Sequence, residues 1–154
     1  MWVVGIGQGA AGDDGVGLEV LEALSRGALP SGAALMRLKD PMDLVPLLES
    51  GQQVVLVDAV LGEPTGQVLE LEAGQLADDA LQPASSHGFG AGRALALARV
   101  LAPHSPPVRV VAVTIARPGQ YRAGLSAAVA AAVPEAAERV LSLVGLCVAQ
   151  RTKK

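Results

Sequence analysis

Aromatic residues are nearly missing: Trp2, Phe89 and Tyr121 are the only three among 154 residues. Proteins that bind unpaired bases stack them on such rings, so that class loses its support. Basic residues are also short, with 12 Lys and Arg against 15 Asp and Glu, and a net charge of −3 has the wrong sign for neutralising phosphates. The single cysteine, Cys147, cannot close an internal disulfide, and its apolar surroundings in the chain suit a buried, inert thiol. No apolar run approaches the ~18 residues that a membrane helix requires, and Met1-Trp2-Val3-Val4-Gly5 lacks a positively charged leader region. The expectation is a cytoplasmic protein with neither nucleic acid nor membrane as a partner.

What is abundant is aliphatic: 51% of residues are hydrophobic and 18% charged, enough apolar surface to exceed the entropy that keeps polar chains disordered. At about 150 residues per domain, residues 1–154 make a single domain with a core of Ala, Val and Leu.

Trp2 to Gly7, Gln53 to Asp58 and Val108 to Thr114 are short β-branched runs, the pattern of strands buried on both faces. Ala33 to Leu38 is a further strand. Gln67 to Glu72 alternates apolar and polar residues after the turn Gly62-Glu63-Pro64-Thr65-Gly66 and suits an antiparallel edge. Helical spacing joins Val16, Val20 and Leu24, then Leu44, Leu47 and Leu48, then Leu95 to Leu101. After Leu125 a helical stripe meets Pro134, which predicts a short helix followed by a longer one starting near that proline. Alternating strands and helices specify a three-layer α/β/α sandwich. Its mostly parallel, twisted sheet has about five strands, one of them an antiparallel edge, and its ligand site lies beyond the strands' carboxyl ends.

Gly7-Gln8-Gly9-Ala10-Ala11-Gly12 stands between a strand and a helix, as a dinucleotide-binding loop does. Asp13 and Asp14 follow at once and put like charge where a pyrophosphate would approach. The only acid placed for a ribose, Asp40, lies 28 residues beyond Gly12, where about 20 is usual, and Pro41 follows it. A nucleotide module is therefore the weaker reading. Helix capping by Asp13 and Asp14 is another: one carboxylate accepts orphan N–H groups and both complement the macrodipole.

Asp58 closes the second apolar run, at the rim to which the first strand's loop delivers Asp14, and a buried acid there needs a partner or a metal. His87, in Ser85-Ser86-His87-Gly88, precedes the helix that feeds the strand at Val108. If that strand is parallel, the helix starts at the same rim, and His87 meets Asp14 and Asp58 there. Two carboxylates and an imidazole leave open coordination positions and suit nickel, zinc, manganese or iron, among which softness does not choose. The plainer reading of His87 is a solvated residue beside a Ser cap. His104, among prolines, reads as a surface residue.

Four segments together carry a family likeness. They are Val4-Gly5-Ile6-Gly7 running into Gly12-Asp13-Asp14-Gly15-Val16-Gly17, then Val55-Leu56-Val57-Asp58-Ala59, then Ser85-Ser86-His87-Gly88, and finally Leu125-Ser126-Ala127-Ala128-Val129 leading to Pro134. In these the chain resembles the hydrogenase maturation proteases, nickel-dependent endopeptidases that remove a C-terminal peptide from the large-subunit precursor of nickel–iron hydrogenases. The resemblance implies a phosphorylase/hydrolase-like sandwich, metal ligands at Asp14, Asp58 and His87, and Asp14 and Asp58 as the catalytic candidates. It further implies a monomer acting on the hydrogenase large-subunit precursor. Nickel would arrive already held by precursor thiolates, with zinc or another divalent ion able to substitute.

The chain departs from the family pattern in having Gln8 where Asn is usual, small residues at Gly9-Ala10-Ala11, and Leu38-Lys39-Asp40-Pro41-Met42-Asp43 in place of a Gly/Thr-rich segment. That last change motivates a second reading, a non-catalytic relative that binds metal or a metalloprotein. Other protease classes lack their parts here: there is no serine nucleophile elbow, no Cys–His pair suited to thiol catalysis and no His-Glu-x-x-His helix.

Overall fold

The β-branched runs form the interior of one sheet: β1 (Trp2–Ile6), β3 (Val54–Leu61) and β5 (Arg109–Ile115), with β2 (Ala34–Leu38) and β4 (Val68–Glu72) at its edges. The computed structural model describes residues 1–7, 12–77, 90–117 and 123–151. The strand order is β2-β1-β3-β5-β4. All neighbours run parallel except β4, which pairs antiparallel with β5. The expected three-layer sandwich, with its antiparallel edge strand, is the observed one.

Helices cover both faces. Helix α1 (Val16–Ser25) and the C-terminal α5 (Ala127–Arg151) bury Val16, Val20, Val129, Ala136, Val140 and Val144 against Val3, Val55, Val57, Val111 and Val113. On the other face, α2 (Leu44–Glu49), the one-turn α3 (Ala73–Ala77) and α4 (Ala91–Leu101) bury Leu44, Leu48, Leu76, Ala94, Leu95 and Ala98 against Val4, Leu56, Val110 and Ala112. Alanines on α4 and α5 let helices approach the sheet without aromatic filler. Thr114, buried among apolar residues, donates its hydroxyl to the Pro64 carbonyl and accepts from the Gln67 N–H, pinning the turn between β3 and β4.

Two expectations are corrected. The break near Pro134 does not occur: α5 is one 25-residue helix with Pro134 inside it. Both Pro134 and Ala130, whose carbonyl the missing N–H would have met, face solvent. Water can hydrate that carbonyl, while the buried stripe on either side holds the helix to the sheet. The strand carrying Asp58 also does not end there. β1 pairs with β3 only as far as Gly5 opposite Val57, whereas β5 stays paired with β3 from Asp58 opposite Ala112 to Leu61 opposite Ile115. Asp58 therefore lies on the step where one neighbour has stopped and the other continues.

Candidate functional site

Between β1 and β3 the chain connections diverge, β1 leading to β2 on one side and β2 returning to β3 on the other. The carboxyl end of that junction is where a ligand crevice forms in sheets of this kind. The loop after β1 delivers a 3-10 turn, Gly12–Gly15, to it. Gly7 carries a φ of +151°, and a Cβ there would lie 2.7 Å from the Asp14 carbonyl, so only glycine lets the turn fold back over the strand end. Close backbone approach also explains Gly5 and Gly17. A Cβ on Gly17 would sit 2.5 Å from the Ile6 carbonyl oxygen and 2.6 Å from that of Val57. One on Gly5 would sit 2.6 Å from the Gly17 carbonyl oxygen. Helix α1 is thus seated directly on the β1–β3 junction, one residue short of Asp58.

The capping expectation for the two acids is corrected by this geometry. The residue capping α1 is Gly15, with no side-chain capping bond. Asp13 turns instead to α5, its Oδ1 accepting the Ser126 N–H at 2.6 Å. The Asp14 carboxyl is left for the crevice. Its pKa is raised because it is half buried, and burial disfavours the charged form.

Asp58 shares parity along β3 with Val54, Leu56 and Val60, which places its side chain on the face covered by α2 and α4. Burial pushes its carboxyl up to about 8; the Ala59 N–H donated to its Oδ1 at 2.9 Å works against that rise, and the Asp14 charge adds to it. Two segments far apart in sequence therefore bring their acids within electrostatic reach of each other. The ion pairs of Glu22 with Arg26 and Arg37, Arg109 with Glu70 and Arg139 with Glu135 involve neither. The charge acting on Asp58 is the like charge of Asp14, and two carboxyls brought together beside one backbone donor suit a divalent ion.

The third expected ligand, His87, lies outside the described residues, as do Gln8 to Ala11 and Ser85 to Gly88. Among the described residues no three His, Cys, Asp or Glu side chains converge as a metal site. The departing segment after β2 forms a 3-10 turn, Pro41–Asp43, capped by Asp40, whose Oδ1 accepts the Met42 N–H at 2.9 Å. Asp40 is thereby committed to its own backbone.

Residues 39–143 match the family model of hydrogenase maturation proteases (HycI). The chain belongs to that family. Membership makes it a relative of protease hydrolases, and the match includes Asp58. Solved structures of hydrogenase maturation proteases share the fold. The hydrogenase-maturating endopeptidase HybD of Escherichia coli superposes with a TM-score of 0.77 at 20% identity, over 95% of this chain and 92% of that one. The HybD maturation protease of Thermococcus kodakarensis gives 0.70 at 20%, over 93% and 97%. The hydrogenase 2 maturation peptidase of a Thaumarchaeota archaeon gives 0.63 at 24%, over 94% and 97%. No curated protein sequence matches the chain. Among the described residues no helix is long and apolar enough to cross a membrane.

The roles of Asp13 and Gly5 carry no separate signal in the sequence. Asp13 acts on a residue 113 positions away. For Gly17, the run Gly15-Val16-Gly17 at a helix start was the available hint of close packing.

Proposed function

We propose that this hydrogenase maturation protease removes the C-terminal peptide of a nickel-loaded hydrogenase large-subunit precursor, with Asp14, Asp58 and His87 meeting the nickel that the precursor carries. The observation that carries the reading is the pair of buried and half-buried acids, each pushed toward its protonated form, that the fold brings together on the step beside β1. Gly90, at the head of α4, supports the third ligand. Helix α4 packs against the Pro41–Asp43 turn at the same rim, and three residues of chain reach at most about 11 Å. Bound at such a site, a divalent ion supplies positive charge that orients and polarises the scissile peptide. Asp58 and Asp14 hold that charge in place, Ala59 N–H fixes which Asp58 oxygen stays free, and the apolar layers below exclude water. The same reading takes the protein as a cytoplasmic monomer, with zinc able to stand in for nickel.

Precursor incubated with the protein should shift in gel mobility only when loaded with nickel; a shift without metal, or none with it, counts against the proposal. Metal affinity should also follow pH with a defined sign. Below about 8 the free Asp58 holds a proton that the metal must displace, so affinity falls about tenfold per pH unit, and a ligating imidazole, which must be neutral, steepens the fall below the ordinary histidine value of about 6.5. Titration calorimetry from pH 5 to 9 reads both slopes, and a flat profile would exclude these ligands.

A further inference from the structure

We infer that Asp13 is a positioning residue for the acid beside it: its tether to the head of α5 sets where Asp14 stands relative to Asp58. The inference rests on the metal-site reading above and adds to it a residue that touches neither metal nor substrate.

The tether joins a turn with few holds to a helix with many. Gly15 caps α1 without a side-chain bond. The Asp13 Oδ1 to Ser126 N–H contact, 2.6 Å and partly buried, is the side-chain bond that fixes this turn. At the other end, the Ser126 carbonyl accepts the Ala130 N–H at 2.8 Å, which makes Ser126 N–H one of the donors a helix start leaves unpaired. The Ser126 hydroxyl is buried without a partner among the described residues, so the serine does not cap the helix with its own oxygen, and its backbone N–H is satisfied from outside by Asp13.

Helix α5 makes a firm anchor. Val129, Ala132, Ala136, Val140 and Val144 are buried against the sheet, and a Cβ at Gly66 would lie 2.6 Å from the Ala128 carbonyl, so the first turn of α5 is wedged on the β3–β4 turn. Two adjacent carboxylates thus divide the work: one holds the turn, the other is held out toward Asp58.

The test is Ni2+ titration of the metal-free protein at pH 8, with thermal melting of each variant. Asp13→Ala should weaken Ni2+ binding at least about tenfold, the scale for residues that orient ligands. Asp13→Asn should restore most of it, because its Oδ1 still accepts the Ser126 N–H. Ser126→Ala, which keeps the backbone donor, should bind within about twofold of the parent. Ser126→Pro removes the donor while leaving both acids, and should reproduce the Asp13→Ala loss even if that variant melts without cooperativity. Parent affinity in Asp13→Ala or Ser126→Pro overturns the inference. So does an Asn variant as weak as the Ala one, since charge rather than the tether would then be responsible. Asp14→Ala without binding, beside an unaffected Asp13→Ala, overturns this inference alone; Asp14→Ala at parent affinity overturns the metal site together with it.

Discussion

Asp58→Asn is expected to end precursor cleavage and, in the same protein, to raise stability. The fold holds this carboxyl protonated up to about 8 against an ordinary value of 3.8. Below the ordinary value both folded and unfolded chains carry the proton, and nothing is lost. As pH rises toward 8 the unfolded chain ionises first, so the metal-free native state loses stability over that window. At about 1.4 kcal/mol per pH unit the ceiling is on the order of 6 kcal/mol, and the solvent-open side of the step reduces it to about 2–3 kcal/mol. Asparagine keeps the oxygen that accepts from Ala59 N–H and never ionises. Chelator-treated Asp58→Asn should therefore melt roughly 5–10 °C above the parent at pH 8 and close to it near pH 4. Equal melting points at pH 8 would show that the carboxyl is not held in this state. Asp14→Ala and His87→Ala should likewise abolish cleavage without unfolding the protein; full cleavage by any two of the three variants would remove the site. A gain in stability with a loss of activity is what a site built from unpaired charge produces.

Gly17→Ala should have the largest effect on folding. The added methyl would meet the Ile6 and Val57 carbonyl oxygens at 2.5 and 2.6 Å. Both are backbone atoms of paired strands, so neither can move aside. Relief has to come from α1 lifting off the β1–β3 junction, at a cost of about 3 kcal/mol, or roughly 6–12 °C in melting temperature for a domain of this size. The lifted helix would carry the Gly12–Gly15 turn with it and separate Asp14 from Asp58, so Ni2+ affinity should fall together with stability. Gly145→Ala is the control. It lies in α5 with nothing within 4 Å of the new methyl, and should be neutral or stabilise by about 0.5–1 kcal/mol. A Gly17→Ala protein as stable as its Gly145→Ala counterpart would disprove the close seating of α1.

Sequence periodicity marked the five strands and the helical stripes of α1, α2, α4 and α5, but neither the one-turn α3 nor the continuity of α5. It also determined that the sheet is covered on both faces and that β4 is the antiparallel edge, because periods of 2 and 3.6 are local properties of the chain. It brought Asp14 and Asp58 to one rim through the topology of parallel strands. Tertiary structure decided what local pattern could not. Pro134 stays inside α5 because burial on both sides outweighs one hydrogen bond lost to solvent. Asp13 does not cap α1 because its Oδ1 is taken by a donor 113 residues away. Asp58 becomes a proton-holding acid rather than an ordinary strand end because the folded layers bury it and the loop after β1 brings the Asp14 charge near it. Each of these is set by distances between segments remote in the chain, and such distances exist only once the chain has folded.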